Sequence, residues 1–129
     1  MDLGIKGRTA LVGGASKGLG YGCAEALVRE GVNVVIVART PEALEAAASK
    51  LRAINPTVSV KAVAADITTV AGRAAVFAAH ADYDIVVTNA GGPPTGDFRD
   101  WNRDMWVAAL DANMLTPIEL IKSVIDGMM

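Results

Sequence analysis

The stretch Leu11-Val-Gly-Gly-Ala-Ser-Lys-Gly-Leu-Gly-Tyr-Gly22 decides the fold, because it leads an apolar strand through clustered glycines into a helix. Gly14, Gly18 and Gly20 follow the order G-x-x-x-G-x-G, which lets the backbone turn sharply and approach a ligand that a Cβ would keep away. A helix that begins near Gly18 would point its unpaired N–H groups and its positive dipole end at an anion. The stretch therefore predicts a site for a dinucleotide pyrophosphate. A turn in which the glycines only pack the helix on the strand is the alternative at this point.

Composition excludes several other classes of protein. The chain has 129 residues, of which 52% are hydrophobic, and a net charge of -2 without any basic stripe that a nucleic acid would need. The single cysteine, Cys23, excludes an internal disulfide framework and a cysteine-rich metal site, and the helical pattern predicts a buried thiol. Apolar runs such as 34–38 are far shorter than the roughly 20 residues of a membrane span. We expect one cytoplasmic domain, 1–129, with no metal, nucleic acid or membrane partner.

Strand and helix patterns alternate along the chain. Valine- and isoleucine-rich runs without alternation predict buried strands at 9–13, 33–38, 58–64 and 84–88. Helical spacing predicts helices over 18–30 and 41–54, and a third helix that carries Val70, Ala74 and Phe77 on one face. This alternation predicts an α/β fold of the Rossmann type: a doubly wound parallel sheet in the order 3-2-1-4, in three α/β/α layers and incomplete at its C-terminal side. A ligand would sit between strands 1 and 4, beside the loops 14–20 and 89–92. The glycine- and proline-rich segment 89–96 predicts a loop.

Residues 102–128 predict one long helix, or two in close succession, with an unusually apolar surface. Apolar residues spaced by three and four include Val107, Leu110, Met114, Ile118, Ile121, Ile125 and Met128. Leu115, Leu120 and Val124 add a second apolar flank. We expect this helix to lie against the sheet on one side and against a partner subunit of a homo-oligomer, a dimer or tetramer, on the other. Burial of the helix within one chain is the alternative.

Four motifs, in this order and spacing, resemble the N-terminal half of a short-chain dehydrogenase/reductase over residues 8–129. They are Gly14-x-x-x-Gly18-x-Gly20, Asp66 after the third strand, Asn89-Ala90-Gly91, and Asn113. Gly13 departs from the family pattern, since it stands where the family usually has threonine, and this puts one local hydrogen bond of the turn in doubt. The resemblance implies a nicotinamide cofactor and hydride transfer to or from a small carbonyl or alcohol substrate. The short N-terminus and Arg39 are similar to the 3-oxoacyl-(acyl-carrier-protein) reductase branch.

The resemblance assigns cofactor contacts to three groups of loop residues and to Arg39. They are Gly14, Ser16, Lys17, Gly18, Leu19, Gly20, Arg39, Asp66, Ile67, Asn89, Ala90 and Gly91. Arg39 follows the second strand, where an acidic residue would accept a hydrogen bond from the ribose 2′-OH of NAD. Arg39 can instead pair with a 2′-phosphate, and Lys17 can add a second positive charge. We therefore predict NADP(H) rather than NAD(H), with a solvated arginine and lysine as the alternative.

Three polar residues have a second interpretation. In the family, Asp66 and the backbone of Ile67 contact adenine, whereas Asp66 could also cap the next helix. Asn89 has a structural and cofactor-contacting role in the family, or it only forms a turn. Asn113 is a catalytic residue in the family, whose carbonyl holds a water that links a catalytic lysine to solvent. Pro117 lacks the N–H that would bond to that carbonyl, which would keep it open. A satisfied core asparagine is the alternative.

The catalytic tyrosine of the family, with a lysine four residues later, has no counterpart in these 129 residues. Tyr21 and Tyr83 are followed at that spacing by Glu25 and Val87. We expect a cofactor domain truncated before its catalytic half and inactive alone, with a second polypeptide as one source of the serine, tyrosine and lysine. A non-catalytic nucleotide-binding or interaction protein is the alternative. We expect the chain expressed alone to be poorly soluble or strongly oligomeric.

Overall fold

The computed structural model describes residues 1–91 and 95–129, so part of the predicted loop 89–96 lies outside the described residues. The first seven elements alternate as predicted: β1 (Thr9–Gly13), α1 (Gly18–Arg29), β2 (Asn33–Ala38), α2 (Pro41–Ile54), β3 (Val60–Ala64), α3 (Val70–Ala79) and β4 (Ile85–Val87). A 3-10 turn at Phe98–Asp100 then precedes a long helical segment. β3 begins later and β4 is shorter at both ends than the sequence predicts.

The four strands form one parallel sheet in the order β3-β2-β1-β4, which confirms the predicted order. β1 pairs with β2 from Thr9↔Asn33 to Gly13↔Val37, and with β4 through Leu11↔Val86. Because the strands are parallel, their carboxyl ends and the loops that follow lie at one edge of the sheet.

Helices cover both faces of this sheet. Val12 and Ile36 point to one face and pack with residues of α1 and α2, such as Val28 and Leu51. Neighbouring strand residues point the other way, and Leu11 and Val35 pack with Val76 of α3 and with Leu120 and Val124 further along the chain. This alternation at period two, with both faces buried, explains why the strands are continuously apolar.

Three predicted core positions are wrong. Cys23 is exposed, because α1 turns Gly20, Ala24 and Val28 toward the sheet, and one residue shifts a side chain by about 100° around a helix. On α3, Val70 is 77% exposed and Ala74 is also exposed. The inner face of α3 consists of Gly72 and Val76, since Gly72 lies so close to the Asp66 carbonyl that a Cβ would overlap it.

The predicted long C-terminal helix is present as α4 (Arg103–Leu110), a π-helical turn (Asp111–Leu115) and α5 (Thr116–Met128). Thr116, Leu120 and Val124 are its buried residues. Leu115, predicted beside Leu120 and Val124, is 47% exposed. None of the helices in the described part of the chain is long and apolar enough to cross a bilayer.

The other predicted apolar face of this segment is uncovered within the chain. We call it the outer ridge; its residues are 41–51% exposed and comprise Val107, Leu110, Met114, Ile118, Ile121, Ile125 and Met128. Within these 129 residues the buried side of α5 is the one that carries Thr116, Leu120 and Val124.

Candidate functional site

A cleft of about 560 Å³ opens at the carboxyl ends of the strands, within the range of about 300–1,000 Å³ that small ligands occupy. Loops after all four strands contribute to it, as does the π-helical turn. Its lining residues are Gly14, Ser16, Lys17, Gly18, Val37, Ala38, Arg39, Thr40, Ala65, Asp66, Ile67, Thr68, Asn89, Ala90, Gly91 and Ala112. Loops that are far apart in the sequence thus meet at the predicted edge.

The glycines of the β1–α1 turn serve different purposes. Gly14 and Gly18 have φ angles of 57° and 63°, a region that side chains disfavour. Gly20 has no cleft surface, but a Cβ there would overlap the carbonyl of Gly14. At Gly13, where the family usually has threonine, a Cβ would overlap the carbonyl oxygen of Asn89. A threonine would therefore fit at position 13 only if one of the two loops shifted.

The amino end of α1 faces the cleft without a side-chain cap. Its N-cap residue Lys17 is extended and makes no capping hydrogen bond, and the first turn contains no acidic residue. The N–H groups of Gly18, Leu19 and Gly20 have no intrahelical acceptor, as in any first turn. The side chain of Leu19 is 85% exposed and does not line the cleft, so only its backbone could contact a ligand there. The arrangement suits an anion.

Two cations border the cleft from different loops. Lys17 and Arg39 are both exposed and both line it. Arg39 lies on the same side as the loop after β4, because its Nη2 is 3.9 Å from the position a Cβ would take on Gly91. Neither cation forms a salt bridge with a described residue. Their charge is therefore available to a ligand.

Asp66 is the acidic residue of the cleft wall, and it does not cap α3. The N-cap is Thr69, whose hydroxyl accepts a hydrogen bond of 2.9 Å from the Gly72 N–H. Asp66 Oδ1 instead accepts from the hydroxyl of Thr68 at 2.6 Å and from its N–H at 3.0 Å. These two bonds lower the pKa of the Asp66 carboxyl, partial burial opposes them, and the charge of Arg39 adds to the lowering. Asp66 is thus a fixed, ionised acceptor.

Asn89, Ala90, Gly91 and Ile67 complete the predicted part of the wall. Ile67 is only 7% exposed, and its carbonyl accepts a hydrogen bond of 3.1 Å from Arg73. Asn89 joins the turns at the two strand ends by donating to the carbonyl of Gly13 at 3.2 Å. Asn89 is therefore more than a turn former, because it fixes the distance between two cleft loops.

Asn113 lies beside the cleft and not in its wall. Its side chain is exposed and donates to the carbonyl of Ala109 at 2.9 Å, so the core alternative is wrong. The helix continues past Pro117, and the N–H of Thr116 donates to the Asp111 carbonyl instead of that of Ala112. The Ala112 and Asn113 carbonyls consequently lack their regular α-helical donors, the latter because Pro117 has no N–H.

Sequence reasoning missed six lining residues: Val37, Ala38, Thr40, Ala65, Thr68 and Ala112. The first five lie within two residues of a predicted site residue, at or just after the carboxyl end of a parallel strand, and this position could have identified them. Ala112 had no such signal, because a small apolar residue in a helix carries no chemical pattern.

The two tyrosines are placed away from the cleft wall. Tyr83 is 2% exposed, and its hydroxyl donates to the Val76 carbonyl at 2.7 Å. Burial raises the pKa of Tyr83 to about 12. Tyr21 is half-buried and packs against the core on the α1 side of the sheet. Neither can act on a molecule held in the cleft in this arrangement.

Comparison with known proteins places this geometry in context. The profile of a family described as short chain dehydrogenase matches residues 8–129. L-xylulose reductase of Cavia porcellus is 30% identical over 99% of this chain and 50% of its own length. A very-long-chain 3-oxoacyl-CoA reductase of Coccidioides immitis is 40% identical over 50% of this chain and 19% of its own. The crystal structure of L-sorbose reductase from Gluconobacter frateurii with NADPH and L-sorbose superposes with a TM-score of 0.90, at 31% identity, over 99% of this chain and 50% of that one. The chain spans about half the length of the curated relatives that match it end to end.

Proposed function

The chain belongs to the short-chain dehydrogenase family, and from that premise we propose that its cleft binds NADP(H) for hydride transfer between the nicotinamide and a carbonyl or alcohol. One observation carries the choice of cofactor: Lys17 and Arg39, from different loops, line the same cleft. A 2′-phosphate is the part of NADP(H) that NAD(H) lacks, and a guanidinium binds it through charge-assisted hydrogen bonds.

The residues of the cleft fit this cofactor. The uncapped amino end of α1, with Lys17, would hold the pyrophosphate. Arg39 would hold the 2′-phosphate, Asp66 and the backbone of Ile67 would contact the adenine, and the loop 89–91 would line the remainder. When bound, the nicotinamide supplies or accepts the hydride.

We infer that this chain on its own binds the cofactor without catalysing the reaction. Its two tyrosines are not followed by lysine at the required spacing, and the hydroxyl of Tyr83 is buried and hydrogen-bonded to the Val76 carbonyl. General acid–base help is typically worth about 10² to 10⁴ in rate, so its loss would leave little turnover. Asn113 would contribute through its backbone carbonyl, by holding a water, once a lysine and a tyrosine were supplied from outside these residues.

The proposed substrate is a 3-oxoacyl group, in line with Arg39 and the partial match to a 3-oxoacyl-CoA reductase. A ketose is a second candidate, because the matches to L-xylulose and L-sorbose reductases extend along nearly the whole chain. NADPH oxidation with a 3-oxoacyl thioester or with L-sorbose separates the two in a protein that contains the catalytic half. For this chain alone we expect neither to be turned over.

Calorimetric titration with NADPH and NADH tests the cofactor assignment directly. We expect NADPH to bind more tightly, with a difference that shrinks as salt is added, because exposed charge pairs are screened. Equal affinity, or tighter binding of NADH, would contradict the assignment. The intact mass of the natural protein distinguishes the alternative of a non-catalytic binding module. A species with the mass of these 129 residues and no second polypeptide favours the module.

We also propose that the chain associates with a second copy through the outer ridge. These residues form an apolar face that runs along α4, the π-helical turn and α5 without cover from the rest of the chain. Contiguous exposed apolar surface of this kind marks interfaces in folded proteins. β4 is a second incompletely covered element, a half-buried strand at the end of the sheet.

A further inference from the structure

The carboxylate of Asp66 is held asymmetrically, and Thr68 holds it. Both hydrogen bonds from Thr68, one from its hydroxyl and one from its N–H, end on the same oxygen, Oδ1. Oδ2 accepts no hydrogen bond from any residue in the described ranges. Asp66 and Thr68 both line the cleft. One oxygen therefore fixes the carboxylate and the other is available to a ligand.

The backbone on which this carboxylate sits is fixed as well. The Asp66 carbonyl accepts from the Thr69 hydroxyl at 2.8 Å and from the Thr69 N–H at 3.1 Å. Gly72 packs directly on that carbonyl. With the backbone fixed, the Asp66 side chain can still rotate about its own bonds. The hydrogen bond from the Thr68 hydroxyl restricts this rotation.

The partner of the free oxygen follows from the charges in the cleft. An ionised carboxylate only accepts hydrogen bonds, and it repels the phosphates that Lys17 and Arg39 attract. Because NADP(H) has no cationic hydrogen-bond donor, the partner of Oδ2 in this ligand is an uncharged donor. In NADP(H) the donors are ribose hydroxyls and the amino groups of adenine and the carboxamide. The strands lie in the order β3-β2-β1-β4, and α1 begins after β1. Asp66 follows β3, so it lies on the side of the cleft away from β4.

We propose that Thr68 is a positioning residue: its hydroxyl orients the Asp66 carboxylate so that Oδ2 accepts a hydrogen bond from the adenine amino group. This inference rests on the proposed function, since it assumes that NADP(H) is the ligand. The hydrogen bonds from Thr68 are also the main cause of the lowered pKa of the Asp66 carboxyl.

Substitution of the hydroxyl tests the proposal. Thr68→Val keeps the branched shape and the N–H but removes the hydroxyl, and it should weaken NADPH binding roughly three- to tenfold. Thr68→Ser retains the hydroxyl and should bind within about twofold of the unsubstituted chain. The analogue with hypoxanthine in place of adenine has a carbonyl where the amino group stands. Its binding should be equally weak with threonine or valine at position 68.

Two controls separate positioning from general structure. Thr57→Val removes a hydroxyl that donates to Asn55 Oδ1 at 2.6 Å, at a residue that does not line the cleft, and it should not change the discrimination between NADPH and the hypoxanthine analogue. In the ligand-free chain, carbon-detected NMR titration of the Asp66 carboxyl should show a higher pKa in Thr68→Val than in Thr68→Ser. Lys17 and Arg39, the other charged side chains that line the cleft, are the same in both variants.

The outcomes are distinct. Unchanged NADPH affinity in Thr68→Val overturns the positioning role while leaving the cofactor assignment intact. A loss that is equal for NADPH and the hypoxanthine analogue overturns the adenine contact. Failure of the unsubstituted chain to bind NADPH overturns the proposed function and this inference with it.

Discussion

The side-chain amide of Asn89 donates a 3.2 Å hydrogen bond to the carbonyl of Gly13, and this bond connects the end of β1 to the segment after β4. It spans 76 positions of the chain, so it fixes a distance that no local structure determines. The same amide nitrogen lies close to both Gly14 and Gly20, at the base of the glycine turn. The relative position of the cleft loops after β1 and β4 consequently depends on the Asn89 side chain.

Replacement of Asn89 by alanine should reduce both stability and cofactor affinity. The carbonyl of Gly13 would lose its donor in a part-buried place, at a cost of about 1–3 kcal/mol. Urea denaturation and NADPH titration measure the two effects. The matched control is Asn33→Ala, which removes bonds to Gly7 and Ser59 at the start of β2. It should reduce stability alone, and an equal loss of NADPH affinity in both variants would contradict this role of Asn89.

Arg39→Leu should abolish most of the preference for NADPH over NADH. A hydrogen-bonded charge pair contributes about 1.5–3 kcal/mol, so the affinity for NADPH should fall roughly 10- to 100-fold while that for NADH changes little. Arg29→Leu is the control, because Arg29 pairs with Glu25 on the exposed side of α1. A comparable loss of NADPH affinity in Arg29→Leu would mean that overall charge, and not a contact at Arg39, sets the preference.

Three glycines in one helix should respond to alanine in three different ways. Gly22 has open space and an ordinary φ, so Gly22→Ala should stabilise the protein by about 0.5–1 kcal/mol through helix propensity. Gly18 also has open space but a φ of 63°, so Gly18→Ala should destabilise it by about 1–2 kcal/mol.

Gly20→Ala should have the largest effect of the three, because its Cβ would overlap the Gly14 carbonyl and force the turn apart. Thermal unfolding ranks the three variants, and NADPH titration should show loss of binding in Gly20→Ala. If Gly20→Ala bound NADPH normally, the close packing within the glycine turn would not be needed for the site.

The sequence allowed the sheet and the loops of the site to be predicted, but not the rotation of the helices about their axes. Runs such as Val34 to Val37 leave no alternative to a buried strand, and glycines with fixed spacing identify the turn. Cys23 stands next to the buried Ala24, and Val70 stands two residues before the buried Gly72. Both were misplaced because a small or apolar side chain is compatible with the buried face and with the exposed face of a helix. In both helices a glycine determines which face turns inward. Gly20 packs against the Gly14 carbonyl and Gly72 against the Asp66 carbonyl, more closely than any larger residue could.

The function of Thr68 depends on contacts that sequence spacing does not reveal. Asp66-Ile67-Thr68-Thr69 offers an aspartate and two threonines as candidate caps for α3, and both residue types are common N-caps. In the structure Thr69 takes that position. This frees Asp66 for the cleft and leaves Thr68 to bind its carboxylate.

Tyr83 should make the stability of the chain depend on alkaline pH. Its pKa is raised to about 12 in the folded state from about 10 in the unfolded chain. The neutral hydroxyl therefore stabilises the fold fully below about pH 10, and this contribution is lost as the pH rises toward 12. The two-unit difference corresponds to about 3 kcal/mol. Tyr83→Phe should be less stable at neutral pH by about 1 kcal/mol but should lose less stability between pH 10 and 12.

Chemical denaturation across this pH interval tests the prediction, with Tyr21→Phe as the control. Tyr21 is half-buried, and its hydroxyl donates to no described residue. Tyr21→Phe should retain the alkaline loss seen in the unsubstituted chain. Parallel pH profiles for the unsubstituted chain and Tyr83→Phe would contradict the role of the buried hydroxyl.

Ile121→Lys should weaken self-association through the outer ridge. Ile121 lies between Ile118 and Ile125 on α5 and is 46% exposed, so a lysine there can extend into solvent in the monomer but would place a charge inside an apolar interface. Burial of an isoleucine side chain contributes roughly 1.5–3 kcal/mol, and a symmetric dimer would lose that contribution twice. Sedimentation velocity over a range of concentrations should show a shift from a larger species to the monomer.

The control is Val70→Lys, because Val70 is 77% exposed on α3 and lies outside the ridge. The ridge is not the interface if both variants sediment like the unsubstituted chain, whereas dissociation in Ile121→Lys alone locates the contact on α5.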